Sequence, residues 1–283
     1  MRRSVLIIPN RLSAHPGTSA HSSPLMVITA IPAFRDNYIW ALRIPELHPR
    51  AVVLVDPGEP GAILSWLASE DAEPAAVLIT HHHDDHAGAL SALCARWPKL
   101  VVHGPRHPQL PQVTHPVGEG DQVYVPALDV RFDVLATPGH TLSHLCYLGH
   151  GCLFSGDTLF SCGCGRLFEG SPAQMHASLE RLARLPDSTL LYCAHEYTLP
   201  NIGFAREVDP DNADLTAYYV ACRQRRKAGQ PTLPSNLGIE RACNPFLRCH
   251  LPAIQDAISQ QIGQPMPNAA SAFAALRAWK DVY

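Results

Sequence analysis

Apolar runs and polar breaks alternate along the first two thirds of the chain at the spacing of short strands and helices. Residues 27–31, 38–42 and 51–55 are apolar runs that predict strands, the last closing in Asp56-Pro57-Gly58, a turn signal. Residues 61–69 predict a short amphipathic helix, and residues 75–80 a fully buried strand. A helix is expected after the segment 81–86, running to Trp97, where Pro98 stops it. Further strands are expected at 100–103 and 130–136. A hairpin is expected from 145–148 and 152–154 around Gly149-His150-Gly151. Ser171-Pro172 supplies an N-cap and a first helical proline, with Met175, Leu179, Leu182 and Leu185 on one apolar face. Residues 189–193 form the last predicted strand. Beyond it strand signals cease, and helices are expected at about 211–228, closed by Gly229, then 252–262 and 268–282.

The predicted strands matter most for where they end. Strand-like runs lead into His81, His83, Asp85 and His86, then into His140, Asp157 and His195. Neutral imidazole nitrogens and carboxylate oxygens crowded in this way suit a divalent transition metal, zinc, iron or manganese. Donors distant in sequence converge if the strand ends gather on one edge, and rigid strand ends hold geometry better than free loops. His82 and Asp84 should face away from their neighbours wherever the segment stays extended. His144, four residues beyond His140, reads either as support for that ligand or as core. The other histidines, His103, His107, His115 and His176 among them, lack such a context and read as surface or loop residues.

Composition narrows the classes. A formal net charge of -3 over 283 residues gives no electrostatic case for nucleic acid or an anionic membrane. No apolar run approaches the roughly 18 residues of a spanning helix, so a soluble, cytoplasmic protein is expected. Nine cysteines, an odd number without zinc-ribbon spacing, argue against a disulfide framework. Cys94, Cys146, Cys152 and Cys193 read as small apolar fillers. Residues 1–25 hold Arg2, Arg3 and Arg11, several serines and no acid. They read as a disordered extension, with a transit peptide as the alternative, and Met26 opens the folded part.

His81-x-His83-x-Asp85-His86, followed in order by His140, Asp157 and His195, resembles the metallo-β-lactamase superfamily. The resemblance implies an α+β architecture, a four-layer αββα sandwich over residues 26–195, and a binuclear metal site. By motif, His81, His83 and His140 would bind one ion, Asp85, His86 and His195 the other, and Asp157 both. Zinc is the expected metal, with iron or manganese as alternatives. A hydroxide held by the pair, with His83, Asp85 and Asp157 among its supporting ligands, would be the nucleophile.

Four further segments are similar to glyoxalase II, the hydroxyacylglutathione hydrolases: 31–40 (IPAFRDNYIW), 162–170 (CGCGRLFEG), 195–198 (HEYT) and 244–248 (NPFLR). The helical tail, 196–283, would then be a small all-α substrate-binding domain. That family hydrolyses S-D-lactoylglutathione and other S-2-hydroxyacylglutathiones to glutathione and a 2-hydroxy acid, completing methylglyoxal detoxification. Arg166 and Arg248 match its basic anchors for the two glutathione carboxylates, and Tyr197 its aromatic hydroxyl. Phe168 stands where many relatives carry tyrosine, which removes one contact. A monomer acting on a small molecule is expected. A mono-iron persulfide dioxygenase and a purely structural metal module are the competing readings; shared Cys-free ligands and the long helical tail argue against both.

Overall fold

The computed structural model describes residues 10–11 and 25–283. The expected extension, residues 1–25, therefore lies almost wholly outside the described residues. The chain divides into two compact units: residues up to Ala136 together with Leu145–Phe154, and Thr137–His144 together with Ser155–Tyr283.

The first unit is built on a mixed sheet ordered β1 (Asn10–Arg11), β2 (Leu25–Ala33), β3 (Asn37–Arg43), β4 (Ala51–Val55), β5 (Glu73–Leu78), β6 (Val101–Gly104) and β7 (His115–Pro116). Strands β1 to β4 pair antiparallel and β4 to β7 parallel. Parallel neighbours need crossovers, and helices supply two of them: α1 (Pro60–Ser69) between β4 and β5, and α2 (Asp84–Ala87) with α3 (Leu90–Arg96) between β5 and β6. Ile63, Trp66 and Leu67 of α1 and Leu90 and Leu93 of α3 cluster with Val52, Leu54, Val77 and Val102 of the sheet. Each such buried side chain contributes about 1.5–3 kcal/mol. An antiparallel sheet of β8 (Gln122–Val125), β9 (Val130–Ala136), β10 (Leu145–Gly149) and β11 (Cys152–Gly156) completes the unit, apart from the last two residues of β11.

The second unit holds the hairpin of β12 (Leu159–Phe160) and β13 (Gly163–Cys164), then α4 (Pro172–Leu182), β14 (Leu190–Cys193), α5 (Thr198–Val208) and α6 (Ala213–Lys227). It closes with β15 (Ser235–Asn236), α7 (Leu237–Cys243), a 3-10 turn at Pro245–Leu247, α8 (Pro252–Ile262) and α9 (Ala269–Val282). The expected capping box starts α4: Gln174 N–H donates to Ser171 Oγ at 3.2 Å, and Ser171 N–H to Gln174 Oε1 at 2.9 Å. Gly229, at φ 71°, follows α6 as expected. All nine cysteines are free.

Several elements differ from expectation. The single helix expected after the histidine cluster is two short helices. They meet at Gly88, where a Cβ would lie 2.6 Å from the carbonyl oxygens of Asp84 and Gly58. Helices α5 and α7 and strand β8 were not predicted. In α5, Pro200 and Gly203 depress helix propensity, but Pro200 sits in the first turn, where it removes no intrahelical bond. Helical backbone begins at Asp84, so the extended-strand rule for alternate side chains reaches only His82.

Candidate metal centre

In the first unit a buried carboxylate organises the donors. Asp56 ends β4 at φ 51°, and its oxygens receive Thr80 N–H at 2.8 Å, Thr80 Oγ1–H at 2.7 Å and His86 Nδ1–H at 2.9 Å. Thr80 Oγ1 spends its proton on Asp56, so it accepts from His81 Nδ1 at 3.0 Å. Both ring tautomers are thereby fixed, and Nε2 of His81 and of His86 is left as the ligating atom. The strand end is pinned from β10 as well: Leu145 N–H donates to Thr80 O at 2.8 Å and Tyr147 O–H to Ile79 O at 2.7 Å. Asp85 is held by Asn37, whose Nδ2 donates to its Oδ2 at 3.0 Å. Gly58 permits this packing, because a Cβ there would lie 1.8 Å from Asp85 O. His82 is buried and stacks on His107 with ring centres 3.8 Å apart.

In the second unit one carboxylate is shared. His140 Nε2 lies 3.5 Å from Asp157 Oδ2, and His195 Nε2 lies 3.4 Å from Asp157 Oδ1. Each histidine faces a different oxygen. His140 Nδ1–H donates to Arg166 O at 2.7 Å, which aims its Nε2. Asp157 is set by its backbone: its N–H donates to His144 Nε2 at 3.0 Å, and His144 Nδ1 in turn meets Thr137 Oγ1 and Thr158 Oγ1, both at 3.0 Å. His144 thus supports the aspartate. Gly165 is required behind it, since a Cβ would fall 1.9 Å from Asp157 O. The His195 ring stacks on Tyr197 at 4.6 Å and 6°, and the Phe160 ring meets both edge-on.

The donor sets fit the chemistry of a divalent ion. His81 Nε2 and His83 Nδ1 are 3.0 Å apart, and His86 Nε2 and Asp85 Oδ2 3.5 Å apart. Two ligand atoms each about 2.0–2.1 Å from one tetrahedral ion are separated by about 3.3 Å. The spacings within each set therefore match ligands that share an ion.

The second unit also carries cations that meet at its final helix. The Arg166 guanidinium is exposed and donates to Asp281 of α9, Nε to Oδ1 at 3.3 Å and Nη2 to the main-chain O at 3.2 Å. Arg277 donates to the same Oδ1 at 3.0 Å and to Cys164 O at 2.9 Å. Lys280 lies on the same helix, over the rings of Phe204 and Tyr283. Burial, and then the Arg277 charge, push its ammonium down to about 8. Phe168 is exposed, its ring 5.2 Å from that of His140. Arg248 instead pairs with Asp209 at 3.0 Å. It lines a cleft of about 410 Å³ with His176, Arg184 and Arg241, and none of the metal donors is on that wall.

Sequence reasoning missed Asp56, read only as a turn residue, and the pair Arg277 and Lys280. A carboxylate closing one parallel strand beside a neighbour that ends in histidines is the signal for the first. Cations three apart on the final helix were the signal for the second.

Residues 35–195 match the metallo-beta-lactamase superfamily model, and residues 196–283 match the hydroxyacylglutathione hydrolase C-terminus. A hydroxyacylglutathione hydrolase from Nitrosomonas eutropha is 47% identical over 249 residues, covering 88% of this chain and 96% of that protein. One from Aeromonas salmonicida is 46% identical over 260 residues, covering 92% of this chain and 100% of its own. The chain belongs to the hydroxyacylglutathione hydrolase family. Among solved structures, ETHE1 from Myxococcus xanthus is similar at 28% identity and TM-score 0.57, over 88% of this chain and 99% of its own. As a hydroxyacylglutathione hydrolase family member the chain has the metallo-β-lactamase fold with a helical C-terminal region. Its histidine and aspartate donors imply a binuclear divalent-metal centre.

Proposed function

We propose that this chain is a binuclear-metal thioesterase that hydrolyses S-D-lactoylglutathione to glutathione and D-lactate. The observation that carries this is the Asp157 carboxylate, which offers one oxygen to His140 and the other to His195. The ligand assignment is His81, His83 and His140 for one ion, Asp85, His86 and His195 for the other, with Asp157 bridging. It is supported by the match of residues 35–195 to the metallo-beta-lactamase superfamily model and by donor spacings within each unit that fit a shared ion. When bound, such a pair of ions supplies an activated water at neutral pH and polarises the thioester carbonyl.

The chain's own residues do the positioning. Asp56 and Arg166 O hold the His86 and His140 rings in the tautomer that presents Nε2. Tyr197 fixes the plane of His195 by stacking. A thiolate is a competent leaving group, so hydrolysis requires no strong general acid. The glutathione carboxylates call for guanidinium or ammonium partners, and Arg166 and Lys280 supply them, while buried Arg277 holds Asp281 and Cys164 O in place. Arg248, the other anchor the family motif names, pairs with Asp209 as Arg166 pairs with Asp281, and it lines the cleft with Arg184 and Arg241. Zinc suits the mixed nitrogen and oxygen donors. We further read the protein as a cytoplasmic monomer; among the described residues no helix is long and apolar enough to cross a membrane.

Metal-loaded protein incubated with S-D-lactoylglutathione should release free thiol together with D-lactate in equal amounts. Absence of thiol release from protein containing two ions per chain would defeat the reading. Oxygen consumption with glutathione persulfide instead would favour the dioxygenase alternative.

A further inference from the structure

We propose that His103 and His115 form a separate, peripheral binding site for one divalent transition-metal ion. They occupy directly paired positions on the parallel strands β6 and β7, in the first unit. Their rings lie 5.3 Å apart between centres, at 49°. An ion about 2.0–2.1 Å from one nitrogen of each of two imidazoles, at a tetrahedral angle, holds the ring centres about 5.2 Å apart. The observed ring spacing, set by the pairing of the two strands, has room for such an ion.

Two further features point the same way. His103 Nδ1 is sealed from solvent and has no hydrogen-bond partner. A buried polar atom left in that state is destabilising, and an ion bridging the rings supplies the missing partner. His115 is prepared from the other side. Thr114 Oγ1 lies 3.4 Å from Val102 O, to which its hydroxyl donates, and it meets His115 Nδ1 at 3.0 Å. With the hydroxyl donating to Val102 O it accepts from His115 Nδ1–H, the tautomer that an ion on Nε2 selects. Ligating histidines are commonly oriented by this kind of hydrogen bond through the other ring nitrogen. Burial, and then the His115 charge, push the His103 ring down to about 4, so it is in the neutral, ligating form at pH 7.

With two protein nitrogens the remaining positions fall to water. Binding is therefore weaker than at a closed four-ligand site and follows the preference of imidazole for Cu(II), Ni(II) and Zn(II) over magnesium or calcium. The site depends on neither the catalytic donors nor the helical region.

The test is a calorimetric titration of Zn(II) into protein already holding two zinc ions per chain. One additional equivalent should bind. His115→Ala, a change at an exposed side chain, and His103→Phe should each weaken that step by at least about tenfold, and the double variant should abolish it. Thioester hydrolysis should be unchanged in all three, which also reports that they are folded. No third equivalent in the wild type would overturn the proposal, as would a third equivalent that survives in the folded double variant.

Discussion

The metal donors and the cations proposed to receive the substrate are held in opposite ways. His81, His86, His140 and His195 are nearly fully buried, and each ring is oriented or braced by a backbone carbonyl, a hydroxyl, a carboxylate or a stacked ring. Arg166 is exposed, and its guanidinium is occupied by Asp281, an acid of the same chain. Coordination tolerates errors of tenths of an ångström, so its geometry has to exist before the ion arrives. A flexible tripeptide presents its carboxylates in many poses, and long cationic side chains can follow it. Rigidity is concentrated where bond lengths are short and is absent where charge alone must be met.

The largest effect that would break this contrast concerns the shared carboxylate. Asp157→Ala should lower kcat by roughly 10³-fold and release at least one ion on dialysis, as read by elemental analysis. Asp56→Asn replaces none of the proposed metal ligands. It should weaken metal binding about 10–100-fold in a chelator competition, because His86 Nδ1, 2.9 Å from Asp56, loses the carboxylate that fixes its ring. An Asp56→Asn variant with native metal affinity would show that preorganisation is not what holds the donors.

A smaller effect separates the anchors. The protonated form of Lys280 attracts a carboxylate, so its contribution is complete below its pKa of about 8 and is lost as pH rises through that value. KM for the glutathione thioester should therefore climb by up to about tenfold between pH 7 and 9, with kcat less affected. Lys280→Arg should flatten that rise, since guanidinium stays charged. A pH-independent KM in the wild type would remove Lys280 from the anchor set. The smallest expected change is Phe168→Tyr, which restores a hydroxyl beside His140 and should lower KM about 2–5-fold without altering metal content.

How much of this was legible in the sequence depended on how local the cause was. Metal-capable side chains at the ends of apolar runs advertise themselves, so the candidate donors were named from pattern. The mixed-sheet core followed from the apolar runs that became β2 to β6 and β9 to β11. Asp56 was invisible because its partners, Thr80 and His86, lie 24 and 30 residues away across a parallel pairing. Helix α5 was hidden by Pro200 and Gly203. Its helical state is supported by tertiary contact: Asn201 packs against Gly163, where a Cβ would come within 2.5 Å, and donates to Ser161 O at 3.1 Å. Arg277 and Lys280 resemble the solvent face of any terminal helix, and only their partners Asp281, Cys164 and Phe204 mark them out.

Asp281 has a bearing on the end of the catalytic cycle as well as its start. Both the thioester and the departing tripeptide carry the same pair of carboxylates, so any grip that captures one also detains the other. A resident acid that reclaims Arg166 turns capture into exchange: the incoming ligand displaces an internal tenant, and that tenant later helps evict what remains. On this reading the enzyme gives up some tightness of association so that spent cofactor leaves quickly.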